Sequence, residues 1–223
     1  MPSGQPRKRQ RVGLRRPRSG DADAIPRVPA TGSWHRCVAA RHEQPWWFSA
    51  RTDNPAPGRF DLEAPDGTCY LAATAVAALV ETLADPDAET PIRPTIEELQ
   101  ALWVWSGELD GPPDVADTTE LSLPGLTEEL NSITPCELPW AWADEVRASG
   151  AEGLIYTARF GRDRGLALFG PASRPMIDAA QAPPSRGDME AAPALDHTTE
   201  LPVALRPGSV GNHDEFEAAP PPR

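Results

Sequence analysis

Residues 58–83 read GRFDLEAPDGTCYLAATAVAALVETL, and the fold turns on this stretch. It runs in three parts: an arginine in a glycine–proline loop, a short strand bearing a tyrosine, and an alanine-rich helix bearing one glutamate. Residues 68–72 (TCYLA) are strand-forming types that follow Asp66-Gly67, a strong turn dipeptide. Val76, Leu79, Val80 and Leu83 then recur at i, i+3, i+4 and i+7, the apolar stripe of a helix, with Thr74 as its N-cap. Glu81 lies off that stripe, one turn above Ala77, with Ala78 and Ala84 as its i−3 and i+3 neighbours. None of these is a cation, so the helix offers the carboxylate no partner of its own. Two readings stay open on the helix alone: a solvated glutamate on an outer face, or a site acid with room for a ligand beside it.

Composition sets the surroundings of that stretch. The 223 residues include 27 prolines and 17 glycines, much of the proline at the two ends, and the hydrophobic fraction is only 39%. A folded core of about 130–150 residues flanked by disordered tails is expected. The net charge of −12 is uneven: residues 1–20 hold seven basic side chains and no acid, leaving 14 basic against 33 acidic side chains beyond them. So acidic a body is a poor nucleic-acid binder, because phosphate contacts need cations. The basic arm is either a solvated, disordered terminus or a weak, nonspecific contact for RNA, DNA or the acidic body itself. Cys37, Cys69 and Cys136 are far apart, with no C-x-x-C pair and no paired histidines at ligand spacing, which fits neither a disulfide framework nor a zinc site and suits a reducing cytoplasm. No apolar run follows the basic N-terminus and none approaches the roughly 18 residues of a membrane span.

Along the chain, residues 1–30 show no periodicity and are expected to be a disordered basic arm. Order is expected from Trp34-His35-Arg36-Cys37-Val38, a strand with Trp34, Arg36 and Val38 on one face. An arginine on such an apolar face calls for an anion or carboxylate; His35 and His42 are incidental polar residues. The aromatic cluster at residues 44–48 (QPWWF) is core or the wall of a pocket for a flat heterocycle. After Glu81 the helix is expected to end near Pro86. A capping box at Thr95 to Glu98 predicts a second helix over residues 95–103. Short strands are expected at 104–110 and 115–121, a short helix at 126–133, and a better helix from Pro139 at N1 to Gly150 at C′. A hairpin of residues 154–160 and 166–169 closes the domain. Residues 183–223 lack any apolar pattern, and no internal repeat is visible.

The chain has no G-x-S-x-G, Walker loop, G-x-G-x-x-G or H-E-x-x-H. Arginines on strands and loops, aromatics and one glutamate with no cation at its helix-neighbour positions remain. That set suits an anionic aromatic ligand such as a nucleotide. Guanidinium forks bind phosphate, rings stack on bases, and a carboxylate stabilises charge developing in a sugar ring.

The order W-H-R, W-F-S, G-R-F, C-Y-L-A and A-L-V-E resembles the N-terminal half of the RES-domain family, which supplies the toxins of many bacterial toxin–antitoxin pairs. The run Trp140-Ala141-Trp142-Ala143, Ala148-Ser149-Gly150, Gly153-Leu154-Ile155-Tyr156 and 166–169 is similar to its second half, so the resemblance covers roughly residues 34–171. It implies an α+β, ADP-ribosyltransferase-like fold, with a basic arm over 1–30, an NAD+-binding catalytic domain over 31–175 and a Pro/Ala/acid-rich tail over 176–223. It implies a cytoplasmic enzyme that takes NAD+ as substrate rather than cofactor, breaks the nicotinamide–ribose bond with phosphate, water or a protein as acceptor, uses no metal, and answers to a helix-turn-helix antitoxin.

On the same resemblance Arg36 and Glu81 are the catalytic pair, and Arg36, Arg59 and Tyr70 bind the dinucleotide. The two arginines would take phosphates and Tyr70 the nicotinamide ribose, while Glu81 would hold a ribose hydroxyl. One position departs from the family pattern: Ala158 stands where members usually carry serine, and Thr157 would face the other way. The alternative is therefore a weakened or non-catalytic NAD+ or ADP-ribose binding module of the same fold.

Overall fold

The computed structural model describes residues 13–39, 47–83, 101–109, 111–119, 125–158 and 163–172. Seven strands, β1 (Arg27–Pro29), β2 (Ser33–Ala39), β3 (Asp66–Ala72), β4 (Leu102–Glu108), β5 (Asp114–Asp117), β6 (Gly153–Thr157) and β7 (Arg164–Pro171), form one sheet in the order β1-β5-β6-β7-β3-β2-β4. Only β5 and β6 run parallel; the other pairs are antiparallel. Among the described residues two helices, α1 (Ala75–Leu83) and α2 (Glu137–Ala148), pack on it, together with short 3-10 turns. The class is the expected mixed α+β.

Alternation along the strands sorts the core into two faces. On one, Phe60, Leu62, Leu154, Tyr156, Ala167 and Phe169 pack against Trp142, Ala143 and Val146 of α2. The same face continues as Cys37 and Ala72 under Ala77, Ala78 and Leu79 of α1. On the other, Trp34 and Trp105 meet Cys69, Leu71, Ile155, Leu166 and Leu168. Strands β2 and β4, at one end of the order, thus share a core with β6 and β7, so the sheet curls on itself. The curl has a seam. Strand β2 meets β3 at the single rung His35↔Ala72, and lower down β3 pairs instead with Ser49, through Ser49 N–H to the Thr68 carbonyl and its reciprocal.

The expected disordered arm over 1–30 is corrected over residues 13–30. Arg27, Val28 and Pro29 pair with Ala116, Val115 and Asp114, and Ala22 and Ile25 are buried. Trp142 Nε1 donates to the Arg15 carbonyl at 2.8 Å, Leu14 N–H to Glu129 at 3.0 Å, and Gly20 N–H to Glu145. A strap of irregular backbone fills gaps with single apolar side chains, so it leaves no periodic signal; its prolines are tolerable because β1 is an edge. Residues 1–12 and the tail from 173 lie outside the described residues, as do His42, Trp46, the helix end near 84–86 and residues 159–162.

The other element boundaries also move. Thr74 caps α1 as expected, its Oγ1 accepting from Ala77 N–H at 3.1 Å. Asp66-Gly67 is not a turn but the first two rungs of β3, opposite Pro171 and Gly170. Leu102 and Trp103 begin β4 rather than finish a helix; residues 95–100 are outside the described residues. The stretch 126–133 makes only the 3-10 turn Glu128–Asn131. Helix α2 begins at Glu137, which leaves Pro139 in the first turn, where its missing N–H costs nothing, and Gly150 follows at φ 84° as the C′ residue.

Candidate functional site

The sheet face under α1 and α2 gathers most of the polar residues singled out in the sequence. Tyr70 on β3 lies opposite Ala167, and Tyr156 on β6 lies opposite Gly165, so the two tyrosines sit diagonally across β7 with only small residues between them. A Cβ on Gly165 would run into the Tyr156 ring, which explains the glycine. Phe60 tilts against Tyr156 with ring centroids 4.9 Å apart.

Burial raises the Tyr156 hydroxyl far above its usual range, the Glu81 carboxylate raises it further, and the Arg59 guanidinium acts in the opposite sense. Glu81 and Arg59 therefore act on one hydroxyl, though one comes from α1 and the other from the 54–62 loop. Tyr70 is held neutral mainly by burial, then by the Asp61 carboxylate, with a smaller contribution from Tyr156. Arg59, Tyr70, Glu81 and Tyr156 belong to one electrostatic neighbourhood. It holds a carboxylate and a guanidinium near two hydroxyls that stay protonated at neutral pH, the equipment for a ligand with anionic and hydroxyl-bearing parts.

Arg59 sits inside a heavily tied loop. Asp61 N–H donates to the Gly58 carbonyl at 3.2 Å, and Trp140 Nε1 of α2 donates to the same oxygen at 2.8 Å. Phe60 N–H donates to Tyr70 Oη at 2.7 Å. Thr68 Oγ1 donates to the Phe60 carbonyl and accepts from Leu62 N–H. Arg59 Nη1 itself donates to the Ile133 carbonyl.

Arg36 is placed elsewhere. It shares its face of β2 with Trp34 and Val38, and its Nη1 donates to the Trp47 carbonyl at 3.1 Å and contacts Cys69 Sγ. Cys69 and Tyr70 are neighbours on one strand and face opposite ways, so Arg36 lies across the sheet from the tyrosines, at the seam beside β3. Trp47 is 39% exposed there, while Phe48 is buried in the core. His35 Nδ1 lies 2.6 Å from Ser106 Oγ, an ordinary polar pairing. Ala158 is buried, its N–H donating to the Asp163 carbonyl at 2.7 Å. Among the described residues no group of three or more His, Cys, Asp and Glu could hold a metal ion.

Sequence reasoning missed Asp61 and gave Tyr156 no role. Asp61 is fully buried and accepts hydrogen bonds from Tyr70 Oη, Gly58 N–H and Asn54 Nδ2. An acid directly after Arg59-Phe60 in a proline–glycine loop was the available signal. For Tyr156 there was none, because only the β3–β7–β6 register puts it beside Tyr70.

The RES domain family matches residues 33–190. Among solved structures, the crystal structure of the M. tuberculosis MbcT–MbcA toxin–antitoxin complex is similar at TM-score 0.55 and 16% identity, covering 74% of this chain and 87% of that one. At that identity the likeness is one of fold. No curated protein sequence matches. The match begins at the first residue of β2, after the N-terminal strap, and spans α1, both tyrosines and strands β6 and β7: the chain belongs to the RES domain family.

Proposed function

We propose that this chain is an NAD+-degrading enzyme acting as the toxin of a toxin–antitoxin pair. The observation that carries this reading is the gathering of Tyr70, Tyr156 and the Arg59 loop on the sheet face under α1, with the Glu81 carboxylate near enough to act on the Tyr156 hydroxyl. Glu81 holds a ribose hydroxyl and stabilises positive charge as the bond from ribose C1′ to the nicotinamide nitrogen breaks. The bonding electrons leave with neutral nicotinamide, and a phosphate or water oxygen, or a protein side chain, bonds to C1′. Tyr70 orients the nicotinamide ribose and Arg59 takes a phosphate. Arg36 stands at the seam, where β2 and β3 share one rung. It lies across the sheet from the tyrosines, so it is assigned no contact with the reacting ribose.

Incubating the purified chain with NAD+ and inorganic phosphate should release nicotinamide, and Glu81→Ala should reduce release at least a hundredfold (about 3 kcal/mol of transition-state stabilisation). No release by wild type, or undiminished release by Glu81→Ala, counts against the reading.

The toxin assignment rests on family membership and on the fold shared with MbcT. The partner proposed here is a cognate antitoxin of helix-turn-helix type, and the compartment is the cytoplasm. No helix among the described residues is long and apolar enough to cross a membrane. A second reading, an NAD+ or ADP-ribose binding module without turnover, is favoured by Ala158, an apolar buried residue at the position where serine is expected. Tight ADP-ribose binding by calorimetry with no nicotinamide release would select it.

A further inference from the structure

We propose that Asp61 is the positioning residue of this site: its buried carboxylate locks the turn that presents Arg59 and fixes the hydroxyl of Tyr70. The ligand half of this inference rests on the dinucleotide reading above, whereas the loop half does not.

A fully buried carboxylate is costly unless its oxygens are satisfied. Asp61 meets that cost with neutral donors drawn from both sides of Arg59. Oδ2 accepts from Gly58 N–H at 2.8 Å and Asn54 Nδ2 at 3.3 Å, and Oδ1 accepts from Tyr70 Oη at 2.8 Å. The nearby cation, Arg51, spends its guanidinium on the Asp61 backbone carbonyl, Glu63 and Asp144 instead. An acid that draws its hydrogen bonds from a backbone N–H, a side-chain amide and a hydroxyl fixes geometry rather than balancing charge.

The result is a closed circuit. Gly58 N–H is tied to the carboxylate, the carboxylate to Tyr70 Oη, and Tyr70 Oη to Phe60 N–H, so the residues on either side of Arg59 are pinned to β3. Gly58 is required for closure, since a Cβ there would come within 2.6 Å of Tyr70 Oη. An asparagine at position 61 keeps the volume but only one acceptor. If its oxygen stays with Gly58, its amide must donate to Tyr70 Oη, which already accepts from Phe60, and the tyrosine proton loses its partner.

In the full-length chain, Asp61→Asn should keep a cooperative melt while amide exchange across residues 54–62 accelerates about tenfold or more. The KM for NAD+ should rise about tenfold with a smaller change in kcat, and ADP-ribose affinity should fall by a similar factor. Tyr70→Phe, which removes the donor and leaves the carboxylate, should give the same pattern and serves alone if Asp61→Asn does not fold. If both variants fold, their double should be no worse than either, because they break one circuit. Fully additive losses, or unchanged exchange with unchanged KM, would overturn the assignment. A wild-type chain that neither cleaves NAD+ nor binds ADP-ribose overturns the dinucleotide reading. The exchange measurement then decides for the loop: acceleration supports Asp61 as its lock, and unaltered exchange refutes it.

Discussion

Burial pushes the Cys37 thiol up to about 11, and it raises Cys69 as well despite the Arg36 guanidinium at its sulfur. Neither forms a thiolate at neutral pH, whereas Cys136 is partly exposed at the start of α2. Alkylation of the folded chain near about pH 8 should therefore yield one adduct, on Cys136, and denaturant should expose the other two. His35 supplies a pH test. Burial lowers it below 6.5, so the unfolded chain binds this proton more readily than the folded one. Stability is then full above about pH 6.5 and falls as pH drops through the interval between the two values. Urea melts of His35→Gln should show a flatter slope in that interval than wild type. Gly58→Ala should cost about 1–3 kcal/mol in the same melts, because the new methyl overlaps the Tyr70 hydroxyl, which is itself held by Asp61 and Phe60 N–H.

Among the elements, α1 is the one whose sequence signal and structure agree best. Its cap does two jobs, since Thr74 Oγ1 accepts from Ala77 N–H and donates at 2.9 Å to Oδ2 of Asp163, the residue before β7. Thr74→Ala should lower stability by about 1 kcal/mol, measured as a fall in melting temperature. Helix α1 was legible from its i, i+3, i+4, i+7 stripe, and β3 over residues 68–72 from its strand-forming types rather than from alternation. Strand β4 was not. Leu102 and Val104 face α1 while Trp105 faces the opposite core, so apolar side chains on both sides erase the alternation that marks a strand. The same limit hid the shortness of the 126–133 helix: Leu126 and Leu130 are buried, but the turn between them tightens to 3-10. Local spacing found Glu81, Arg59 and Tyr70. It could not see Tyr156, whose partnership depends on a register spanning more than eighty residues, nor tell that Arg36 points away from the tyrosines.

At the scale of the whole molecule, the N-terminal strap is part of the fold rather than an appendage. Deleting residues 1–30 removes β1 from the edge of β5, takes Ala22 and Ile25 out of the core and leaves Trp142 Nε1 without its acceptor. A loss of about 3–5 kcal/mol is expected, visible as a lower urea midpoint. Proline and arginine content made this segment look unfolded because composition cannot register single side chains dropped into gaps. The seam between β2 and β3 governs something different. Glu81 rides on α1, whose buried alanines and leucine pack against Cys37 of β2, Ala72 of β3 and Leu102 and Val104 of β4. Arg59, Tyr70 and Tyr156 are anchored to β3, β6 and α2. Helix α1 thus straddles a joint that the strands themselves close with one rung, and a substitution that lifts Ala77 or Ala78 off the sheet would shift the acid against the cation without unpairing either strand.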